Sequence, residues 1–271
     1  MLQRVITGVI MFAALILIVG LGGWVFALVA ALATCVAMRE MYHALTLAGH
    51  RPVQWPTWVG MAAAIPLLLT YSYNTIVLLL LSICFITFTR VIFRSEPKFV
   101  DALMSVTPLL TVTLPGMFLI SILSIEPKAL QITLHALIFV VSILGDTLAY
   151  FIGSRLGSRK LCPSVSPKKT VAGAAGGLAG SLLGAILVGV ITYAAAPAAR
   201  DALPSLPVYG IIGLVGGLAG QVGDLFASLV KRHCDIKDFS GIFPGHGGMM
   251  DRMDSILFVS LVVFCYRILC L

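Results

Sequence analysis

The chain has 271 residues, of which 59% are hydrophobic and only 11% charged, with a mean hydropathy of +1.06. A soluble domain carries about 25% charged residues, and a disordered chain has far less Leu, Val, Ile and Ala, so both classes are excluded and an integral membrane protein is expected. The net charge of +7 comes without any basic run interleaved with aromatics, so it points to inner loops facing anionic lipid and to phosphate sites, not to nucleic acid.

In chain order, the opening stretch MLQRVITGVIMFAALILIVG has one basic residue and an apolar run but no small-x-small cleavage site. It is read as a retained first span. A spanning helix needs about 20 largely apolar residues. Nine runs qualify, near 5–20, 23–46, 57–72, 74–93, 102–124, 130–153, 172–195, 208–230 and 254–271. The expected fold is all-α, a polytopic membrane protein of nine transmembrane helices in a single domain, 1–271. Residues 1–140 read as plain apolar spans, and 141–271 as the working half.

With the N-terminus inside, 15 of the 18 basic residues fall on the inner side: Arg4, Arg39, Arg51, Arg90, Arg94, Lys98, Arg155, Arg159, Lys160, Lys168, Lys169, Lys231, Arg232, Lys237 and Arg252. Only Lys128, Arg200 and Arg267 fall outside. The positive-inside rule therefore predicts a cytoplasmic N-terminus and an outer C-terminus. The six cysteines, at 35, 84, 162, 234, 265 and 270, include no C-x-x-C and read as small apolar filler. Cys234 with His233 and His246 lacks the second cysteine pair of a zinc site.

Three stretches carry chemistry. In ILGDTLAYFIGSRLGSRK (143–160), Asp146 lies inside a spanning run, where an ionisable residue marks function because burying it unpaired is costly. Tyr150 and Gly153 follow it at i+4 and i+7 on one helix face. In SVSPKKTVAGAAGG (164–177), Ser166-Pro167 marks a turn or a helix start, placing Lys168, Lys169 and Thr170 near a helix N-terminus, where an anion is favoured. Gly176, Gly180 and Gly184, then Gly216 and Gly220, recur every four residues and predict close helix packing.

The third stretch, QVGDLFASLVKRHCDIKDFSGIFPGHGGMMDRMD (221–254), is the densest. Asp224, Ser228 and Lys231 share one helical face, as do Asp251 and Asp254. The two helices flank a loop holding Lys237, Asp238 and the turn Pro244-Gly245-His246-Gly247-Gly248, so Asp224 is expected to meet Asp251 and Asp254 across a gap. Carboxylates in an apolar wall repel one another, and a divalent cation relieves that repulsion. Magnesium takes one or two carboxylates plus substrate phosphates, Lys and Arg offset the remaining phosphate charge, and glycines permit close backbone approach. This is equipment for displacement at phosphorus. His246 is read as an orienting or phosphate-contacting group, since an attacking phosphate needs no deprotonation near neutral pH.

Residues 228–254 resemble the signature of the phosphatidate cytidylyltransferases, or CDP-diacylglycerol synthases, at Ser228, Lys231, Arg232, Lys237, Asp238, Pro244, His246, Gly247, Gly248, Asp251, Arg252 and Asp254. Ser166–Thr170 and the D-T-x-A-Y segment at 146–150 are similar to the family as well. Two positions depart: Ala172 and Ala227 stand where the family often has Glu. The resemblance implies transfer from CTP to phosphatidate, giving CDP-diacylglycerol and pyrophosphate. It implies magnesium, a second cation such as K+, and a multi-pass inner-membrane enzyme, often a homodimer, working at the cytoplasmic face. The metal aspartates map onto Asp224 and Asp251, with Asp254 or Asp146 completing the ion site. Lys168, Lys169, Lys231, Arg232, Lys237 and Arg252 map as phosphate clamps. The competing readings are another CTP-dependent lipid transferase or kinase and an ion-coupled transporter. The charges gather at one membrane face, and no inverted repeat is visible, which disfavours the transporter.

Overall fold

The computed structural model describes the backbone of residues 2–70 and 73–270 and the side chains of 6–63 and 77–270. Residues 71–72 of one predicted span, and the side chain of Arg4, lie outside that range. The helices are α1 (Leu2–Leu21), α2 (Gly23–Leu47), α3 (Trp55–Thr70), α4 (Tyr73–Ile92), α5 (Phe99–Pro108), α6 (Leu114–Ser121), α7 (Lys128–Leu156), α8 (Val171–Ala195), α9 (Leu206–His233) and α10 (Met250–Cys270). Among the described residues, six segments are long and apolar enough to cross a membrane: α2, Phe99–Ser124, α7, α8, α9 and α10. The apolar stretches Ile6–Leu21 and Val77–Ile92 are shorter. The chain is thus a multi-pass membrane protein built from helices.

One element departs from the all-α expectation. Lys160–Cys162 (β1) and Ser166–Thr170 (β2) pair antiparallel, Lys160 opposite Thr170 and Cys162 opposite Ser166. Pro167 therefore sits in a strand and does not start a helix. Proline pushes the residue before it toward extended backbone, and a two-stranded ribbon is all edge, where a missing N–H is tolerated. Helix α8 begins only at Val171, with Thr170 as its N-cap: the Thr170 hydroxyl accepts the N–H of Gly173 at 3.1 Å. Lys168 and Lys169 thus stand on β2 directly before the helix N-terminus, near which the sequence places them.

The glycine stripes do pack helices closely. A Cβ on Gly180 would stand 2.5 Å from the Leu144 carbonyl oxygen, and one on Gly176 2.6 Å from Ile152, so α7 and α8 meet nearly backbone to backbone. Gly213 and Gly217 do the same for α9 against α8 at Ser181, and Gly216 and Gly220 face Val259 of α10. Such contacts gain dispersion where no hydrophobic drive separates helix from lipid. The C-terminal end of α2 packs differently. Met38, Met41, Tyr42 and Leu45 of α2 join Val230, Met250, Met253 and Leu257 in one buried cluster.

The C-terminal end of α2 lies beside the C-terminal end of α9, where His50 and His233 meet with their Nε2 atoms 2.7 Å apart. The start of α10 lies there too, bonded to α2 through Glu40. Arg94 and the Arg51 backbone meet Asp101 at the start of α5. Arg267 is far along α10, bonded to Ser121 and Ser124, and Arg200 stacks over Tyr193.

Candidate active site

Each helix that frames the site arrives there for a local reason. Gly145, Gly153 and Gly173 let α7 and α8 touch, and a Cβ on Gly223 would strike the Asp254 carbonyl oxygen. Asp146, Asp224 and Asp254 are brought close by these contacts. The result is a cavity of about 440 Å³ between α7, β2, α8 and α9, walled by Asp146, Tyr150, Lys168, Lys169, Thr170, Gln221, Asp224 and Leu225, among others. Asp146 is exposed to it, ten residues before the end of α7.

Two of the charges in this wall pair directly. Lys169 Nζ lies 2.6 Å from Asp224 Oδ2. Ser255 Oγ donates to Asp146 Oδ2 at 3.3 Å and ties α10 to α7. Asp254 is 8% exposed, off the cavity wall, yet near enough to repel both Asp224 and Asp146. Lys169 and Arg252 attract Asp146, and Lys231 attracts Asp254. Three carboxylates and three cations therefore share one small region of low polarity, where their interactions are stronger than in water.

Asp251 belongs to a second cluster, next to the first. Its Oδ1 takes Lys231 Nζ at 2.7 Å, and its Oδ2 accepts the N–H groups of Phe239 and Gly248, each at 2.9 Å. Both oxygens are engaged in holding the loop. Asp224 and Asp251 thus each hold a different lysine, Lys169 for the first and Lys231 for the second. Asp224 pairs with Lys169 and lies near Asp146 and Asp254, while Lys231, two turns along α9, reaches Asp251. Lys231 also lies over the Phe239 ring, 5.6 Å from its centroid.

The turn itself needs its glycines. Gly245 and Gly247 have φ of +77° and +79°, a region that L side chains rarely adopt. Phe243 N–H donates to Gly247 O, and His246 N–H to Phe243 O. A Cβ on Gly247 would stand 2.8 Å from Asp251 Oδ2, and one on Gly248 2.6 Å from either oxygen of Glu40. His246 is half-buried against Gly8 of α1.

Some predicted residues stand elsewhere. Arg232, Lys237, Asp238 and Arg252 are exposed, and among the described residues none of them forms an ion pair. Ser166 and Ser228 do not line the cavity. Cys234 is buried in apolar packing and His233 turns to His50, so the zinc grouping does not assemble. Ala227 is fully buried in the same packing.

Two residues were not foreseen. Gln221 lines the cavity and donates to Ala174 O at 2.9 Å. Glu40, 6% exposed in α2, accepts from Ser240 Oγ at 2.5 Å, Met249 N–H at 3.1 Å and Met250 N–H at 2.7 Å. Its signal was present, an acid inside an apolar run, as for Asp146.

Among the described residues, no three His, Cys, Asp or Glu side chains form a preformed metal cluster. The donors still suit magnesium, a hard cation that takes one or two carboxylates and leaves its other positions to water and phosphate. Mutually repelling carboxylates beside a cavity with lysines on its wall are that kind of donor set.

The sequence matches the model of the cytidylyltransferase family over residues 2–270. It is 35% identical to the phosphatidate cytidylyltransferase of Bacillus subtilis over 154 residues, 57% of this chain and 53% of that protein. It is 35% identical to that of Aquifex aeolicus over 162 residues, 58% of this chain and 54% of that protein. The match to that of Staphylococcus haemolyticus is 30% over 267 residues, 94% of this chain and 95% of that protein. The chain therefore aligns with about half the length of the first two relatives and nearly all of the third.

Proposed function

The chain belongs to the cytidylyltransferase family, and on that premise we propose that it transfers the cytidylyl group of CTP to phosphatidate, giving CDP-diacylglycerol and pyrophosphate. The observation that carries this reading is the juxtaposition of Lys168, Lys169, Asp146 and Asp224 on one cavity among apolar helices. It suits a substrate with both phosphate and lipid parts.

A non-bridging oxygen of the phosphatidate phosphate attacks the α-phosphorus of CTP. The new P–O bond forms as the bond from the α-phosphorus to the bridging oxygen breaks, and that electron pair leaves with pyrophosphate. Catalysis here is positioning and charge stabilisation. Lys168 and Lys169 clamp phosphate oxygens from β2, and Arg252, Lys231, Arg232 and Lys237 add positive charge from the loop side. Thr170 orders the start of α8, and the apolar wall around Leu225 excludes water. His246 orients the loop or touches phosphate, and no base is required. Asp224, Asp251, Asp254 and Asp146 are the residues that would hold magnesium. When bound, the ion neutralises charge at phosphate oxygens.

The positive-inside count supports nine spans with the N-terminus and the site on the cytoplasmic side of the plasma membrane, and the C-terminus outside. The family resemblance supports a second cation such as K+ and a homodimer.

The test is product formation by detergent-purified protein given CTP, phosphatidate and magnesium. CDP-diacylglycerol and pyrophosphate are expected in equal amounts, with no product when any one component is omitted. A polyprenyl phosphate or lipid alcohol accepted in preference to phosphatidate would move the chain to another lipid transferase or kinase.

A further inference from the structure

Helix α10 begins at Met250, and its first N–H groups have no carbonyl to bond within the helix. Gly248 N–H is taken by Asp251 from inside α10, a reach back of three residues. The next two, Met249 and Met250, are taken by Glu40, more than 200 residues away in sequence. Ser240 Oγ, at the other end of the same loop, donates to Glu40 as well. One buried carboxylate of α2 therefore fastens both ends of the loop 240–248. A negative charge is favoured where it stands, at the positive end of a helix dipole. Burying an acid in a membrane helix is otherwise costly, and an apolar residue would have served packing alone.

We infer that Glu40 is a positioning residue for the transfer reaction: it caps α10 from α2 and so fixes the Gly247–Arg252 segment relative to the cavity. Its contacts are with the Ser240 hydroxyl and the backbone of the loop, not with the cavity wall. Gly248 is required because Glu40 comes so close, a Cβ there standing 2.6 Å from both carboxylate oxygens. The contribution of α2 to the site is therefore specific, although α2 carries no residue of the cavity itself.

The kinetic part of this inference rests on the proposed activity, and the structural part does not. The experiment uses full-length protein with Glu40→Gln, which keeps the shape and removes the charge and one acceptor. Hydrogen exchange is read by peptide alongside steady-state kinetics. In the variant, peptides covering 240–252 should exchange about tenfold faster, while those in α7 and α8 stay unchanged. The kcat should fall about 10- to 100-fold, with the KM for CTP held within about twofold, because the substrate clamps on β2 are untouched. Unchanged protection of 240–252, or equal loss of protection in α7 and α8, overturns the inference. If Glu40→Gln does not accumulate, Gly248→Ala replaces it. That variant should lose kcat, and the shorter side chain of Glu40→Asp, added to it, should restore at least about tenfold; no recovery overturns the inference. A well-folded but inactive wild type sinks the proposed activity, and the exchange comparison then decides the capping by itself.

Discussion

The C-terminal end of α2 and the α7–α10 bundle solve the same packing problem with different side chains, and the difference separates the rigid wall of the site from its adjustable edge. In α7 to α10, small residues bring backbones together, and the approach is close enough that Gly180 and Gly223 face carbonyl oxygens. That closeness fixes Asp146, Asp224 and Asp254 relative to one another. At the C-terminal end of α2, bulky Met and Tyr side chains fill the space instead, and a single acid, Glu40, reaches the loop next to Asp251. A glycine-built wall tolerates no added methyl, whereas a methionine-lined contact can repack.

The largest effect expected from this contrast concerns the wall. Asp224→Asn should lower turnover about 10³-fold, the size associated with losing a principal electrostatic contact, with little change in thermal stability because Asp224 faces the cavity. Next is Lys169→Met, which removes a cation from the cavity. It should raise the KM for CTP by roughly tenfold, as for loss of a charge-assisted hydrogen bond, and substrate titration would measure it. Glycine replacement sharpens the comparison further. Gly223→Ala drives a methyl into the Asp254 carbonyl and the Phe258 ring and should cost about 1–3 kcal/mol. Gly20→Ala in α1 meets nothing within 4 Å and should be neutral or stabilising by up to about 1 kcal/mol. Unfolding midpoints of the two variants should thus move apart. The smallest effect is at the edge of the first half, where Arg94 is partly exposed and lies 3.5 Å from Asp101. Arg94→Ala should cost no more than about 1 kcal/mol and leave turnover unchanged.

Much of this was legible in the sequence because the signals were physical and local. Apolar runs marked the helices, and four-residue glycine spacing marked the close faces. Asp224 stood out because it shares a helical face with Ser228 and Lys231, and Asp146 because an acid in an apolar run is expensive. Glu40 met the same criterion but adjoins Arg39 near a span end, where the pair reads as a loop boundary. The β-hairpin was missed because three- and five-residue strands carry no periodicity, and Ser-Pro before a glycine-rich helix looks like a helix start. The division between Asp224 and Asp251 could not be read at all. Helical spacing places Asp224 and Lys231 on one face of α9, but which of them lies opposite Asp251 depends on the register between α9 and α10. Ala172 and Ala227 stand where the family often has Glu, and the structure explains one of them. Ala227 is fully buried in the apolar cluster that includes Met250, Met253 and Leu257, where an unpaired carboxylate is costly.

The central claim is that the cavity shared by Lys169 and Asp224 is where CTP and phosphatidate react. It is tested most directly by following label from the α-phosphate of CTP into lipid, with wild type and Asp224→Asn purified in parallel and their unfolding midpoints measured. The account predicts label transfer that requires phosphatidate and magnesium in the wild type, and a loss of about 10³-fold in the variant with midpoints within about 2 °C. Transfer by Asp224→Asn within a few-fold of wild type, or none by well-folded wild type, would contradict it.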